Sequence, residues 1–316
     1  MKTETIKLYH DRNDVTLTSY VHEASRELME NRKRPAVLVC PGGAYLMCSD
    51  REAEPVALRF AAMGYHAFVL RYSTYFGFGG FNFDFANMKP IPEIIHPAPL
   101  RDLGKAMLCI KEHAEEWLVD DSKIFIAGGS AGGHLGALYA TNWHKPVLSE
   151  HFKESPEKFK PAAAVLYYPL TDYVELNKYM AARTGQEQQG LFRACNMALM
   201  GTFTPTEALL EELSPARQVS DKTVPMFIWT TGADELVPVQ QTLLMGIALA
   251  DNKIPFETHV FEEGAHGLSL ASQASAGARS QINVDAAKWI DLAEAWLLKR
   301  FALDLPEELQ IPNIFG

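Results

Sequence analysis

Lys123-Ile124-Phe125-Ile126-Ala127-Gly128-Gly129-Ser130-Ala131-Gly132-Gly133-His134-Leu135 reads as a strand that stops on two glycines, presents one serine, and passes into a helix. The run from Lys123 to Ala127 has the continuous apolar character of a strand buried on both faces, and Ala131 to Trp143 carries helical spacing. Ser130 thus sits on a strand-to-helix turn and completes the pattern G-x-S-x-G. Such a turn holds its serine in strained backbone. Small residues are needed two positions to either side, because a Cβ there would strike the neighbouring strand and helix. Gly128 and Gly132 meet that demand. The helix also aims its first amides at the serine, which makes the Ala131 N–H a donor for a developing oxyanion. The alternative is the Gly-rich turn of a nucleotide-binding protein, but the Lys of a phosphate-binding loop and the full dinucleotide spacing are both missing. His134, one helical turn along, reads as a packing or supporting residue rather than a base.

The same strand-then-helix rhythm extends in both directions. Ala36-Val37-Leu38-Val39-Cys40 is a second continuous apolar run, ended by Pro41-Gly42-Gly43. Further strands are expected at His66 to Tyr72, Ala162 to Tyr168, Pro225 to Thr231 and Phe256 to Phe261. Helices are expected at Glu52 to Met63, Leu100 to Leu118, Val239 to Asp251 and Asn283 to Arg300. Thr5 to Tyr9 and Val15 to Val21 alternate instead, which predicts an antiparallel edge at the N-terminus. Repeated βα units need right-handed crossovers and give a mostly parallel, doubly wound α/β sheet with helices on both faces. One domain, 1–316, accounts for the chain. Two stretches break the rhythm, 73–99 with its FGFGGFNFDF core and the amphipathic 171–215. Both are expected as cap insertions over a cleft, ordinary surface excursions being the other reading.

Composition narrows the chemistry. The 316 residues are 47% hydrophobic and 22% charged, the profile of a globular enzyme, and the net charge of −10 repels phosphate backbones. Nucleic acid is not an expected partner. Cys40, Cys48, Cys109 and Cys195 lie far apart without a CxxC pair, so core packing is expected and neither a metal nor a cofactor is. No apolar stretch reaches the roughly 18 residues that span a bilayer, and the first residues lack a signal-like apolar region. The expectation is a cytoplasmic protein with no membrane partner, a homo-oligomer being left open.

A serine hydroxyl becomes a nucleophile when an imidazole takes its proton and a carboxylate orients that imidazole. In α/β hydrolases the chain order is Ser, acid, His, each on a loop at the carboxyl end of a strand. Pro225 to Thr231 runs into Gly232-Ala233-Asp234-Glu235, which nominates Asp234 as the acid. Asp172, after another strand, is the competitor, while Glu235 reads as solvated or capping. Phe256 to Phe261 runs into Glu262-Glu263-Gly264-Ala265-His266-Gly267, which nominates His266 as the base. The second oxyanion donor is expected on Cys40-Pro41-Gly42-Gly43-Ala44-Tyr45, from Gly43 or Ala44, where related loops carry HGGG. Here a proline stands in place of that histidine. Tyr45 has two readings, substrate-pocket wall or core packing.

PGGAY (41–45), SDREAEPVALRFAAMGYHAFVLRY (49–72), GGSAGGHLGALYAT (128–141), TGADELVPVQQT (231–242) and FEEGAHGLSLA (261–271) together resemble the acetyl esterase and acetyl-xylan esterase-like group of α/β hydrolases. That group is related to feruloyl esterase-like and prolyl-oligopeptidase-like families. The resemblance covers nearly all of Pro35 to Phe301 and implies the α/β-hydrolase fold. It maps a triad onto Ser130, Asp234 and His266, and oxyanion amides onto Gly43 or Ala44 and Ala131. The segment from Phe76 to His96, ahead of HPAPLRDL (96–103), is an enlargement relative to the group. The implied activity is hydrolysis of small acyl, chiefly acetyl, esters of sugars or alcohols, acetylated carbohydrate among them. The same triad would serve an amide hydrolase such as an arylformamidase or small peptidase. A non-catalytic binding module on the same scaffold is the more distant alternative.

Overall fold

Residues 1–25, 28–79, 84–182 and 186–308 are described by the computed structural model. Among them, eight strands form one sheet: β1 (Lys2–Lys7), β2 (Thr16–Val21), β3 (Arg34–Cys40), β4 (His66–Arg71), β5 (Val119–Gly129), β6 (Ala164–Tyr167), β7 (Met226–Thr231) and β8 (Phe256–Phe261). Their order is β1-β2-β4-β3-β5-β6-β7-β8. β1 and β2 are the antiparallel edge, and every pair from β4 through β3 to β8 is parallel. This is the α/β-hydrolase fold.

Alternation along the central strands explains the two-sided core. Ala36, Leu38 and Cys40 of β3 pack on one face with Ile124 and Ile126 of β5 and Met226 and Ile228 of β7. Val37, Val39, Phe125, Ala127, Phe227 and Trp229 pack on the other. Helices Ala98–Glu112, Ser130–Asn142 and Gln240–Asp251 cover the first face through residues such as Met107, Leu135 and Met245. Helices Glu54–Ala62 and Trp289–Phe301 cover the second through Val56, Phe60, Trp289 and Trp296. A parallel strand with both faces covered has no solvent side, which is why these runs lack polar alternation. No helix among the described residues is long and apolar enough to cross a membrane.

Boundaries depart from the sequence reading where tertiary pairing decides them. β1 lies at Lys2–Lys7 rather than Thr5 to Tyr9, because its register against β2 runs from Lys2 opposite Val21 to Lys7 opposite Thr16. The expected helix to Leu118 ends at Glu112, followed by a short turn Ala114–Trp117. Leu118 then takes a left-handed φ of 54°, and its carbonyl accepts from Arg34 N–H at 2.8 Å as the chain enters β5.

Two histidines are buried in neutral form. Desolvation lowers His66 to about 4, with help from the nearby His22 and Arg34 charges, and desolvation likewise lowers His134 to about 4. In the unfolded chain both take a proton near pH 6.5, whereas the folded protein refuses it until about pH 4. Their stabilising contribution is therefore complete above pH 6.5 and is lost as pH falls through that window. Calorimetry between about pH 7.5 and 4.5 should record a falling melting temperature, with a shallower slope in His66→Asn; identical slopes would contradict the assignment.

Candidate active site

β5 runs directly into the helix Ser130–Asn142, and Ser130 at the junction has φ 51°. A left-handed non-glycine residue is strained and persists only where its surroundings fix it. The flanking glycines make that possible: a Cβ on Gly128 would overlap the Gly132 carbonyl, and a Cβ on Gly132 would overlap the Cys40 and Pro41 carbonyls. The Ser130 turn is thus packed backbone to backbone against the end of β3.

The turn after β3 is left-handed three times in succession, with φ 124° at Gly43, 62° at Ala44 and 59° at Tyr45. The Gly43 carbonyl accepts from Leu46 and Met47 N–H at 3.0 and 3.1 Å, which closes the turn. Among the described residues, the Gly43 and Ala44 N–H groups have no acceptor. The Ala131 N–H belongs to the first turn of the following helix, where backbone donors have no intrahelical partner.

Asp234 follows β7 and is 4% exposed. Its Oδ1 accepts from Leu236 and Val237 N–H at 3.0 and 2.9 Å, and its Oδ2 faces His266 Nδ1 at 2.6 Å. His266, in the loop after β8, has its Nε2 at 2.8 Å from Ser130 Oγ. With a carboxylate on one side and a hydroxyl on the other, the assigned tautomer has Nδ1–H donating to Asp234 and Nε2 accepting from Ser130. The Tyr168 ring stands edge-on to the imidazole with centroids 5.0 Å apart. Asp172, the competing acid, is committed elsewhere. Its Oδ1 caps helix Tyr173–Ala181 through Glu175 N–H at 3.0 Å, and its Oδ2 accepts from Arg217 Nε at 2.8 Å. Glu235 is exposed, and its carbonyl accepts from Tyr179 O–H at 3.4 Å.

An apolar cavity of about 60 Å³ opens at Ser130, lined by Ala44, Tyr45 and Ala131 on one side and by Leu236 and Val237 on another. Gly43 is outside that lining. The roof comes from the 171–215 stretch, through Tyr173, Leu176 and Met180 of one helix and Leu191, Phe192 and Cys195 of the next, Gln186–Met200. Those roof residues were not singled out in the sequence; the amphipathic character of the stretch was the available signal. The 73–99 stretch behaves differently. Its centre, residues 80–83, lies outside the described residues. At its start, Tyr75 and Phe76 N–H donate to the Tyr45 and Leu46 carbonyls at 3.0 and 2.8 Å, and near its end His96 N–H donates to the Leu199 carbonyl at 2.7 Å. Both readings of Tyr45 meet in one residue, which lines the cavity yet is 2% exposed. Its hydroxyl donates to His134 Nδ1 at 2.6 Å, while His134 Nε2–H donates to the Leu213 carbonyl at 2.8 Å.

The BD-FAE family pattern matches residues 27–249. The chain belongs to the BD-FAE family. It is 32% identical over 281 residues to endo-1,4-beta-xylanase B of Butyrivibrio fibrisolvens, covering 86% of this chain and 40% of that protein. It is similar in structure to the carboxylesterase Cest-2923 of Lactobacillus plantarum, with a TM-score of 0.74 and 27% identity over 95% of this chain and 98% of that one. A third likeness is the acetyl ester-xyloside bifunctional hydrolase of Caldicellulosiruptor lactoaceticus, with a TM-score of 0.71 and 29% identity over 94% of this chain and 96% of that one. The chain spans less than half the length of the first curated relatives it matches, 40%, 48% and 43% of three of them.

The packing around Ser130 leaves no room for even one methyl group at Gly132. Gly132→Ala is expected to destabilise by more than about 3 kcal/mol, since the obstacle is backbone on both sides. Urea unfolding monitored by tryptophan fluorescence measures this, and a loss below about 1 kcal/mol would show that the turn can yield.

Proposed function

We propose that this chain is a serine-dependent carboxylic ester hydrolase acting on small acyl esters of sugars or alcohols. The observation that carries the proposal is the unbroken hydrogen-bond chain from Ser130 through His266 to Asp234 at the mouth of an apolar cavity. Ser130 Oγ attacks the ester carbonyl carbon as its proton passes to His266 Nε2. The carbonyl oxygen becomes an oxyanion held by the Ala131 N–H and by Gly43 or Ala44, of which Ala44 is the better placed by lining the cavity. His266 returns the proton to the alcohol oxygen as the carbon–oxygen bond breaks, leaving an acyl-enzyme. Water then attacks, His266 takes its proton, and the carboxylic acid leaves with Ser130 restored. Asp234 keeps the imidazole in the required tautomer and stabilises its charged form.

The size of the cavity supports a short acyl group, since about 60 Å³ holds a few heavy atoms. Relatives described as a carboxylesterase and an acetyl ester-xyloside hydrolase support ester cleavage and an acetylated carbohydrate as substrate. A single hydrolase domain over 1–316, with 171–215 as its cap, is part of this reading.

Ser130→Ala is expected to reduce p-nitrophenyl acetate turnover by about 10³-fold or more, with loss of labelling by a fluorophosphonate probe. Asp234→Asn should approach that loss while Asp172→Asn stays within about fivefold of wild type in kcat/KM; the reverse pattern would move the acid to Asp172. Across an acetate-to-octanoate series, kcat/KM is expected to fall by about tenfold or more beyond butyrate. A profile rising with chain length would remove the small-acyl assignment.

A further inference from the structure

Three loops converge on the proposed site, and each carries a non-glycine residue with left-handed backbone: Ala44 and Tyr45 after β3, Tyr168 after β6 (φ 40°) and Ser269 after His266 (φ 55°). Each such residue costs on the order of 1–3 kcal/mol, so something must hold it. All three loops are gripped from beneath by the two consecutive side chains of Arg51 and Glu52, in the single 3-10 turn Asp50–Glu52. Glu52 Oε2 accepts from Gly42 N–H at 2.6 Å, and Glu52 Oε1 accepts from Tyr168 O–H at 2.7 Å. The same Tyr168 oxygen accepts from Ser269 N–H at 2.7 Å, and its ring faces His266. Arg51 donates to the Gly267 and Ser275 carbonyls at 3.0 and 2.7 Å, and its own carbonyl accepts from Ser269 Oγ at 2.7 Å.

The carboxylate lies directly behind the nucleophile. A Cβ on Gly42 would overlap both Glu52 Oε2 and Ser130 Cβ, so only the bare glycine backbone separates them. Glu52 is 4% exposed, and no cation among the described residues pairs with it. Burying a carboxyl group is unfavourable unless its oxygens are hydrogen-bonded, and an apolar side chain of the same size would pack without that requirement. Filling space therefore does not account for Glu52. Its two oxygens are spent on two different loops, one at the oxyanion turn and one, through Tyr168, at the loop of the base.

We infer that Glu52 is a positioning residue whose carboxylate fixes the Gly42–Tyr45 turn and the His266–Ala271 loop in one register against Ser130. The inference rests on the reading of Ser130 and His266 given above. Both the base and the oxyanion donors are aligned by backbone segments that make few other polar contacts with one another, and a displacement near 1 Å at either is enough to slow such chemistry about 10²-fold.

Glu52→Gln keeps the shape and one acceptor but sets an amide N–H₂ against one of the two donors. It should lower kcat on p-nitrophenyl acetate by about 10²-fold with KM within about threefold of wild type. Amide hydrogen exchange should quicken in residues 42–48 and 264–272 together, while the Asp234 turn, residues 232–238, stays as in wild type. Tyr168→Phe, which removes a single hydroxyl, keeps the proposal testable should Glu52→Gln fail to fold. It should quicken exchange in 264–272 alone and lower kcat about tenfold. Unchanged kcat in both variants, or a loss of kcat without faster exchange in these loops, would overturn the inference. Faster exchange in both loops of a protein whose wild type hydrolyses no ester would instead leave the brace standing and remove the hydrolase reading.

Discussion

The contact on which this molecule depends is the one between the Ser130 turn and the carboxyl end of β3, where backbone meets backbone with no side chain between. Gly132 against the Cys40 carbonyl and Gly42 against Ser130 bring two neighbouring parallel strands to a common point. Parallel strands end at the same edge of a sheet, so their following loops are neighbours by topology. The glycines turn that neighbourhood into contact. From it follow the strained φ at Ser130, the nearness of the Ala44 and Ala131 amides, and the narrow slot that Glu52 fills from behind. β6, β7 and β8 then deliver Tyr168, Asp234 and His266 to the same edge, one strand at a time.

Much of this was legible in the sequence because the constraints are local. A serine two residues from glycine on each side, between an apolar run and a helical one, has few structural explanations. Asp234 and His266 were nominated by chain order and by their loops after core strands, and in the structure His266 lies in hydrogen-bond contact with Asp234 on one side and Ser130 on the other. The competition between Asp234 and Asp172 was not resolvable in the same way. Both follow core strands, and what separates them is a long-range partner: Arg217 takes Asp172, 45 residues away in the chain. Glu52 was hidden for a similar reason. In the sequence it opens an expected helix, where acidic residues are ordinary. Its partners, Gly42 and Tyr168, lie on two other strand ends. The ends of β1 and of the helix before β5 were misjudged because register against β2 and the exit through Leu118 are set by tertiary pairing.

The two insertions, read alike from composition, have different positions. The 171–215 stretch is amphipathic because Tyr173, Leu176, Met180, Leu191 and Phe192 of its helices turn toward the cavity, and Val174, Ala194 and Met197 toward the core. In 73–99, Tyr75 and Phe76 instead support the Tyr45–Leu46 turn through main-chain hydrogen bonds, a role that places little demand on side-chain pattern. That difference cannot be seen in an aromatic-rich, glycine-rich sequence, since main-chain donors are common to every residue.

Leu236 and Val237 have a double attachment that bears on how such a protein can change. Their side chains wall the cavity, and their amides hold the Asp234 carboxylate that meets His266. Altering the cavity wall at these two positions disturbs the Asp234–His266 pair as well, so the shape of the cavity and the geometry of that pair are coupled there. The roof residues Met180, Leu191 and Phe192 are tied to that turn less directly: the helix of Met180 reaches it through Tyr179 O–H, which donates to the Glu235 carbonyl at 3.4 Å. A change of cavity shape made on these helices therefore leaves the Asp234 carboxylate and its amide donors in place, whereas one made at Leu236 or Val237 does not.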